Sequence, residues 1–477
     1  MSELWPPLTT TAAVLLSLGA SVHVILFKRD VRAAVSWVGV AWLVPFVGAI
    51  LYWLLGINRI ERRAKALHMV RGGFASRPVV ERASDDEVLA CCPGAEHLRD
   101  MRRLGDGVVS RPLLPGNHIV PLDGGDQAYP AMLQAIGTAV HSITLCTYIF
   151  DNDRVGRKFV QALEAARARG VEIRVLIDSV GSRYSTPPIQ WRLRRAGIRY
   201  ALFLPTRTPG RLAFMNLRNH RKLLVVDGRH GFTGGMNIRD DFWSDGGAEA
   251  AHDLHFRVEG PVVGHLQECF AEDWAFAAGE VLDGKPWFPP IEPAGDLPCR
   301  AVQDGPDEDF ETARYMLLGA LTVARRSIRI VTPYFLPDPA LITALRVAAL
   351  RGVTVDIMIP EHNNIPMVQW ACMGQLGQVM EAGCRVFLSP PPFDHSKLMV
   401  VDGEWSLVGS ANWDPRSLRL NFEFNVEVFG TSLARQLDAW FDHRLHTAHR
   451  YTMEQWSARP LPIRLRDGVA RLFTPYL

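Results

Sequence analysis

The pattern His-x-Lys-x-x-x-x-Asp occurs twice in this 477-residue chain, and each copy is followed after the same interval by a Gly-rich turn and an Asn. The paired residues are His220, Lys222, Asp227 and Asn237 in the first copy and His395, Lys397, Asp402 and Asn412 in the second. Two imidazoles can supply a nucleophile and an acid-base group, and two ammonium groups can offset charge on phosphoryl oxygens. The duplicated set therefore indicates phosphodiester chemistry that needs neither a metal nor another cofactor.

Each copy has the spacing expected for a strand that carries its functional groups at one end. Because successive side chains of a strand alternate faces, His220 and Lys222 project to the same side, and the second copy repeats this arrangement. The apolar residues that follow continue the strand inward. Asp227 and Asp402 each precede a Gly, and Asp-Gly pairs favour tight turns. We therefore expect a mainly structural role for both aspartates.

The expected reaction has two steps that use both copies. One neutral imidazole attacks phosphorus to form a phosphohistidine, while the other, protonated, gives its proton to the departing alcohol. The second imidazole then acts as a base on an incoming alcohol. Asn237 and Asn412 are expected to donate amide hydrogens to the phosphoryl oxygens. The two copies converge on one site if the halves associate with pseudo-twofold symmetry.

Two carboxylates are candidates for orienting the imidazoles. The lysines depress the pKa of both histidines, so an opposing charge is needed if one ring is to be protonated near pH 7. Asp253 follows His220 by 33 residues and Glu423 follows His395 by 28, at matching places in the repeat. Each could orient the imidazole that precedes it and fix its tautomer. The alternative for either carboxylate is a helix cap or a structural salt bridge.

The repeat extends beyond the motifs and indicates an α/β fold. Residues 142–150 resemble 327–335, and 169–177 resemble 351–359, as pairs of buried strands separated by amphipathic helices. Strand, helix and strand in this order predict a sheet covered by helices. We assign one domain to 116–278, a Pro- and Gly-rich linker to 279–306 and a second domain to 307–477.

The amino terminus has a different composition. Residues 6–27 and 33–58 are uncharged, and each stretch is long enough to cross the roughly 30 Å hydrocarbon core of a bilayer. We predict a two-span membrane hairpin over 1–58 and a connector over 59–115; two buried helices of a soluble protein are the alternative. The lysine and arginine distribution narrowly favours a cytoplasmic catalytic region.

Composition argues against a nucleic-acid-binding protein, a disulfide-stabilised protein and a zinc protein. The net charge of +2 provides no bulk signal for binding a polyanion, so no nucleic-acid partner is expected. Seven cysteines without a C-x-x-C pair indicate neither a disulfide framework nor a zinc site. His443, His446 and His449 recur in a stretch that looks helical, and we interpret them as a polar flank rather than a metal site.

The motifs resemble those of the phospholipase D superfamily and, within it, the bacterial cardiolipin synthases. Residues 219–222, 233–237, 393–397 and 409–417 carry the resemblance, and residues 42–56 and 471–477 extend it to both ends of the chain. It implies two tandem phospholipase D-like α/β/α sandwich domains with pseudo-twofold symmetry, preceded by the membrane hairpin. The motif histidines, lysines and aspartates would then be catalytic, and Asn237 and Asn412 would bind substrate.

The resemblance also implies a reaction. One phosphatidylglycerol gives its phosphatidyl group to His220, releasing glycerol, and a second accepts it to form cardiolipin, with His395 as acid and base. The expected partners are phospholipids and the membrane, and the expected location is the bacterial inner membrane, as a multi-pass protein. The alternatives are a hydrolytic phospholipase D, a transferase with another phospholipid donor, a nuclease of the same superfamily and a non-enzymatic scaffold.

Overall fold

The computed structural model describes residues 5–28, 31–56, 82–205, 217–244, 250–305 and 311–474. The chain divides into two compact units. The amino-terminal unit comprises Met1–Gly72 and Thr206–Asn216, and the larger unit comprises Gly73–Pro205 and Leu217–Leu477. Both repeats lie in the larger unit, so the two predicted α/β domains form one compact body.

The amino-terminal unit is helical where it is described. Its helices are Trp5–Phe27, Val31–Leu43 and Pro45–Leu51, followed by a π-helical turn at Tyr52–Gly56. Ser17 donates a hydrogen bond of 2.6 Å to the Ala41 carbonyl, and the Trp42 indole donates one of 3.0 Å to Ser21, so the first two helices pack on each other. Such small polar contacts are typical of helices that associate in a bilayer.

One helix in the described part of the chain is long and apolar enough to span a membrane: Thr9–Phe27, with a mean hydropathy of 1.9. The second predicted span is interrupted, because Pro45 starts a new helix after Val44 and its longest uninterrupted apolar part is Ala33–Leu43. A proline cannot donate a backbone hydrogen bond and restricts the residue before it, which explains the break. In place of the predicted hairpin, the structure has one continuous apolar helix and one divided apolar segment.

Fifteen strands in the described residues form one continuous sheet. In the first half they are β1 (Leu114–Asp123), β2 (Ser142–Thr147), β3 (Glu172–Asp178), β4 (Arg199–Phe203), β5 (Leu223–Val226), β6 (His230–Gly234) and β7 (Leu254–Glu259). In the second half they are β8 (Leu297–Asp304), β9 (Ser327–Val331), β10 (Thr354–Pro360), β11 (Arg385–Ser389), β12 (Leu398–Val401), β13 (Trp405–Gly409), β14 (Glu423–Phe429) and β15 (His449–Tyr451).

The strand order shows the duplication directly. From the centre outward the first half runs β1-β7-β6-β5-β2-β3-β4 and the second runs β8-β14-β13-β12-β9-β10-β11, with β15 added at the edge. Each strand of the first half thus corresponds to the strand seven places later. The halves join where β1 pairs antiparallel with β8, for example at Leu114 and Cys299. The linker predicted over 279–306 therefore includes β8, a central strand.

Helices cover the sheet. In the larger unit they are Asp85–Cys91, Leu98–Val108, Gly125–Thr138, Arg154–Ala168, Gln190–Arg195, Val263–Ala278, Thr312–Val323, Pro339–Leu350, Pro366–Gln375, Gly377–Met380, Thr431–Leu445, Met453–Ser457 and Leu461–Leu472. Every residue of β2 and β5 is buried, as expected for strands covered on both faces. The parallel pairs β2/β3 and β9/β10 are each linked by a helix, so the predicted α/β class is confirmed.

The described part of the predicted connector belongs to the core of the second half. Val88, Leu98 and Met101 are fully buried in the same apolar cluster as Met316 and Ile330. A capping box formed by Ser84 and Glu87 starts the first of its helices. The segment after the amino-terminal unit therefore fixes part of the larger unit instead of serving only as a spacer.

The motif aspartates hold backbone at the far end of their strands. Asp402 accepts hydrogen bonds from three consecutive backbone amides, those of Arg325, Arg326 and Ser327, at 2.7 to 2.9 Å, and a fourth from the His97 ring at 2.8 Å. Asp227 accepts the matching three amides of residues 140–142. Both aspartates have positive φ and lead into the turn glycine. These contacts agree with the predicted structural role.

These contacts favour an indirect role for Asp227 and Asp402 over the catalytic one that the resemblance implies. Each aspartate follows its motif lysine by five positions, which is about 16 Å along a strand. Neither carboxylate can contact a phosphorus atom that lies between the histidines. Each instead fixes the strand that carries the histidine and lysine.

We predict that Asp402→Ala lowers the free energy of unfolding by about 2 to 4 kcal/mol, because the buried His97 ring and three part-buried amides lose their acceptor. Asp227→Ala should lower it by less, since Asp227 has no counterpart of the buried His97 contact in the described part of the chain, and water can replace the carboxylate at the amides of Val140 and His141. Asp402→Asn should retain most of the stability, since Asn keeps an acceptor and tolerates positive φ. Denaturant unfolding in detergent measures all three, and an equal cost for both Ala variants would contradict the prediction.

Candidate active site

Each motif histidine lies just before a short buried strand, β5 for His220 and β12 for His395. The four residues of each strand are all buried, so the strand anchors the motif firmly. Lys222 and Lys397 lie between histidine and strand, and only 2% and 3% of each residue is exposed. The Lys222 ammonium donates a hydrogen bond of 2.6 Å to the His220 carbonyl, and Lys397 makes the same contact with His395.

Backbone hydrogen bonds join the motif of each half to the other half. The His220 amide donates to the Phe422 carbonyl at 2.9 Å, and the Phe422 amide donates to Arg218 at 2.8 Å. The second motif repeats this pattern: the His395 amide donates to His252 at 2.7 Å, and the His252 amide donates to Phe393 at 2.8 Å. These two bridges bring both motifs to the same junction at the centre of the sheet.

The bridges pair each histidine with the carboxylate of the opposite half. His220 Nδ1 lies 3.1 Å from the Glu423 carboxylate, and His395 Nδ1 lies 2.9 Å from Asp253 Oδ2. Both carboxylates are fully buried. The prediction that Asp253 and Glu423 orient imidazoles agrees with these contacts, but the partners are exchanged. Spacing within one repeat does not show which residues lie across the pseudo-twofold axis.

The pairing also identifies the nitrogens that can react. Since Nδ1 of each ring is directed at a carboxylate, Nε2 remains for a phosphorus atom or a proton. The charges of both lysines lower the pKa of both imidazoles, as the sequence predicted. Burial is the largest cause of the lowered pKa in each case, and the effect is greater for His395. Neutral imidazoles are thus favoured before an anion binds.

The lysines are also affected by burial. Loss of hydration lowers the pKa of Lys222 to about 7 and that of Lys397 to about 8, although Glu423 and Asp253 oppose the shift. Removing two ammonium groups from water is costly unless an anion compensates. A phosphodiester between the histidines would provide that compensation and would hold both lysines in their charged form.

The two carboxylates differ in their surroundings. Glu423 accepts hydrogen bonds from the Ser410 hydroxyl at 2.6 Å and from the Asn421 amide at 3.2 Å. Burial raises its pKa, but His220, Lys222 and the Ser410 hydrogen bond outweigh burial, so the pKa of Glu423 is lowered. Gly235 occupies the place of Ser410 in the first repeat, where a Cβ atom would come within 2.5 Å of Asp253.

Asp253 has fewer donors. Its Oδ1 is buried without a hydrogen-bond partner in the described part of the chain, and burial raises its pKa to about 8 despite the opposing charge of Lys397. Burial thus raises the pKa of Asp253 and lowers that of His395, so both groups favour their uncharged forms before an anion binds. An arriving phosphodiester would favour a proton on the imidazole, where it can be given to a leaving group.

The motif asparagines fasten loops around the site. Asn237 Oδ1 accepts a hydrogen bond of 3.1 Å from the Ile149 amide, and Asn412 donates one of 3.2 Å to the Ser417 hydroxyl. Both asparagines are buried. The Asn237 amide group has no hydrogen bond within the described residues, so it keeps the donor that the sequence assigned to substrate. The Asn412 contact with Ser417 favours a supporting role for that residue.

Aromatic side chains enclose both imidazoles and were not assigned a role from the sequence. The Tyr148 ring lies 5.3 Å from the His220 ring, and the rings of Phe242, Tyr334 and Phe393 lie 5.9 to 6.3 Å from that of His395. Such walls reduce the access of water and strengthen the electrostatic interactions inside. Tyr148 and Tyr334 lie beyond the ends of the matching strands β2 and β9, which is the sequence signal that could have identified them.

The histidines near the carboxyl end form no comparable cluster. His443 and His446 lie with ring centroids 6.4 Å apart at the end of a helix, whereas His449 begins the edge strand β15. The helical stretch predicted through His449 is therefore wrong at that residue. Among the residues that the structure describes, no three His, Cys, Asp or Glu side chains are arranged to hold a metal ion.

Comparison with known proteins gives consistent matches. The family model described as "Cardiolipin synthase, PLD-like domain" matches residues 132–274 and 317–445, and "Phospholipase_D-nuclease N-terminal" matches 15–56. The major cardiolipin synthase ClsA of Bacillus subtilis is 32% identical over 95% of this chain and 96% of its own length. Cardiolipin synthase 2 of Staphylococcus epidermidis is 30% identical over 96% and 95%.

A solved structure supports the fold. The phosphatidylserine synthase of Haemophilus influenzae superposes with a TM-score of 0.62 over 79% of this chain and all of that chain, at 13% identity. At that level of identity the similarity establishes the architecture alone. The agreement covers the larger part of the chain, as expected for a shared two-half sheet.

We predict that kcat/KM falls as the pH rises from about 7 to about 8. Lysine is charged below its pKa, so the site loses positive charge as the pH passes the values of Lys222 and then Lys397. Lys222→Arg keeps its charge and should move the basic limb upward by about one pH unit, with a lower maximum rate. A pH–rate profile measures this, with the exposed Lys285→Arg as the control. An unmoved limb in Lys222→Arg would contradict the assignment.

Proposed function

This chain belongs to the family of cardiolipin synthases with phospholipase D-like domains and is a phosphatidyltransferase, and we propose that it joins two phosphatidylglycerol molecules to form cardiolipin and glycerol. The observation that carries the proposal is the pair of imidazoles held across the two halves, each with Nδ1 on a carboxylate of the other half. Two acid-base groups on opposite sides of one phosphorus are what a double displacement requires.

In the first step, His220 Nε2 attacks the phosphorus of one phosphatidylglycerol. The bond between phosphorus and the glycerol headgroup oxygen breaks, and His395 gives its proton to that oxygen, so that glycerol leaves. The ionised Glu423 supports His220, because a carboxylate on Nδ1 stabilises the positive charge that develops on the ring. The product of this step is a phosphatidyl group covalently bound to His220.

In the second step, His395 acts as the base. It removes a proton from a headgroup hydroxyl of the second phosphatidylglycerol, whose oxygen attacks the same phosphorus and releases His220. The enzyme returns to its starting protonation state, and the net reaction exchanges one phosphodiester for another. Because the exchange is close to isoenergetic, the reaction needs no nucleotide.

The lysines offset the charge on the non-bridging oxygens during both steps. Lys222 and Lys397 are both buried beside the histidines, and their field reaches both rings. In such surroundings a fixed cation stabilises a transition state more strongly than it would in water. The Asn237 amide is our candidate for an additional donor to the substrate, and Asn412 supports its own loop through Ser417.

The amino-terminal unit is our candidate for the membrane anchor. Thr9–Phe27 supplies one span, and we propose that the divided apolar segment up to Gly56 completes a hairpin, which would make this a multi-pass inner-membrane protein with its catalytic region on the cytoplasmic side. The domain limits 1–58, 59–115, 116–278, 279–306 and 307–477 are retained as a proposal, with β8 as the first strand of the second repeat.

We predict that vesicles containing phosphatidylglycerol labelled separately in the acyl chains and in the headgroup glycerol yield labelled cardiolipin and one free glycerol per cardiolipin. Thin-layer chromatography separates the products. His220→Ala should lose at least about 10³-fold in rate, since the covalent route is removed. His230→Ala, a substitution of an exposed histidine outside the site, is the matched control and should retain activity.

Other product patterns would contradict the proposal. Phosphatidic acid and glycerol without cardiolipin would indicate a hydrolase. Cardiolipin that forms only when phosphatidylethanolamine is added would indicate a different donor. Release of nucleotides from DNA, with no lipid product, would indicate a nuclease.

A further inference from the structure

The carboxyl-terminal helix Leu461–Leu472 contacts the protein along one narrow face. Ala470 is 3% exposed and Asp467 is 1% exposed. The helix packs against Pro366–Gln375 closely enough that a Cβ atom on Gly374 would lie 2.8 Å from the Asp467 carbonyl. Asp467 is bound by Arg459 at 2.6 Å and by Arg466 at 2.8 Å. The helix is therefore firmly held and keeps a defined orientation.

The opposite face of this helix is apolar. Leu461, Leu465, Val469 and Leu472 are 64%, 60%, 55% and 73% exposed, and Phe473 follows at 46%. Their spacing of four, four and three residues places the four aliphatic side chains in one stripe along the helix. A contiguous stripe of this kind on a held surface helix marks an interaction site rather than scattered surface residues.

The charges on this helix indicate the kind of surface that covers the stripe. Arg464 and Arg471 are exposed on one side of it, and Arg466 lies on the other. The helix has one acidic residue, Asp467, which is buried and paired with arginines. An outward apolar stripe with arginines on both flanks and no exposed carboxylate complements an anionic lipid surface.

We propose that Leu461–Leu472 lies in the interface of an anionic phospholipid bilayer, with its stripe among the upper acyl chains and its arginines at the lipid phosphates. We refer to it as the interfacial helix. The substrate of the proposed function is itself an anionic lipid confined to a bilayer, so the helix would hold the larger unit at the surface from which substrate must enter. The inference rests on the proposed function only for the identity of that lipid.

The first test measures where the helix lies. A nitroxide is attached at Leu465→Cys in the full chain, reconstituted in nanodiscs of phosphatidylglycerol and phosphatidylcholine, in a Cys91→Ser background because Cys91 is the least buried native thiol in the described residues. We expect the label to collide more with oxygen than with a water-soluble nickel chelate. Val140→Cys, 64% exposed in the first half, is the aqueous control.

A scan of single labels across 461–473 extends this test. Oxygen accessibility should peak at positions 461, 465, 469 and 472 and fall between them. Nickel accessibility at Leu465 equal to that at Val140 would overturn the proposal. A label that neither reagent reaches would also overturn it, because protein would then cover the stripe. Shielding that depends on protein density would indicate a second copy. Shielding that does not depend on it would indicate the amino-terminal unit.

The second test measures the consequence for catalysis. Arg464→Gln with Arg471→Gln should raise the KM for phosphatidylglycerol in vesicles by about fivefold per arginine, the effect of roughly 1 kcal/mol per charge at an anionic surface. Turnover of a short-chain phosphatidylglycerol dissolved as a monomer should not change. An equal loss on both substrates would show a damaged site and would overturn the proposal. If the chain made no cardiolipin at all, the nitroxide measurement would still decide the position of the helix.

Discussion

The active site depends on hydrogen bonds that cross between the two halves of the sheet. Each motif histidine receives its carboxylate from the opposite half, and a backbone bridge beside each pair fixes the distance. Neither half holds a complete imidazole–carboxylate unit. Both repeats are therefore needed for the site, because their junction brings together two oriented imidazoles, two lysines and two carboxylates.

The two halves of the sheet match, but the surroundings of the two buried carboxyl groups differ. Ser410 donates a hydrogen bond to Glu423, whereas Gly235 leaves Asp253 without an equivalent donor. The two carboxyl groups also differ in pKa: for Glu423, burial is outweighed by the charges of His220 and Lys222 and the Ser410 hydrogen bond, which lower its pKa, whereas burial raises the pKa of Asp253 to about 8 beside His395. A nucleophile benefits from the first environment and a proton donor from the second. These environments suit the roles proposed for the two histidines, a nucleophile in His220 and a proton donor in His395.

Much of the fold and of the candidate site could be predicted from the sequence. The repeated motif located both histidines and both lysines, and the matching strands indicated the two-half sheet. The exchange of Asp253 and Glu423 between the histidines could not be read from the chain, because spacing describes positions within a repeat and the pseudo-twofold axis lies between repeats. Strand β8 was not predicted, because it lies in a Pro-rich segment that looks like a linker. Its position in the sheet depends on long-range pairing with β1 and β14. Pro45 can be seen in the sequence, but whether it interrupts the predicted span depends on the local backbone conformation.

The most direct test of the crossed pairs uses a phosphatidyl ester of p-nitrophenol, a leaving group that needs no proton donor. In Asp253→Asn, which weakens His395, a normal burst of nitrophenolate should be followed by slow turnover, with the phosphatidyl group found on His220 by peptide mass spectrometry. In Glu423→Gln, which weakens His220, the burst itself should be suppressed. A suppressed burst in Asp253→Asn together with a normal burst in Glu423→Gln, or an adduct on His395, would contradict the account.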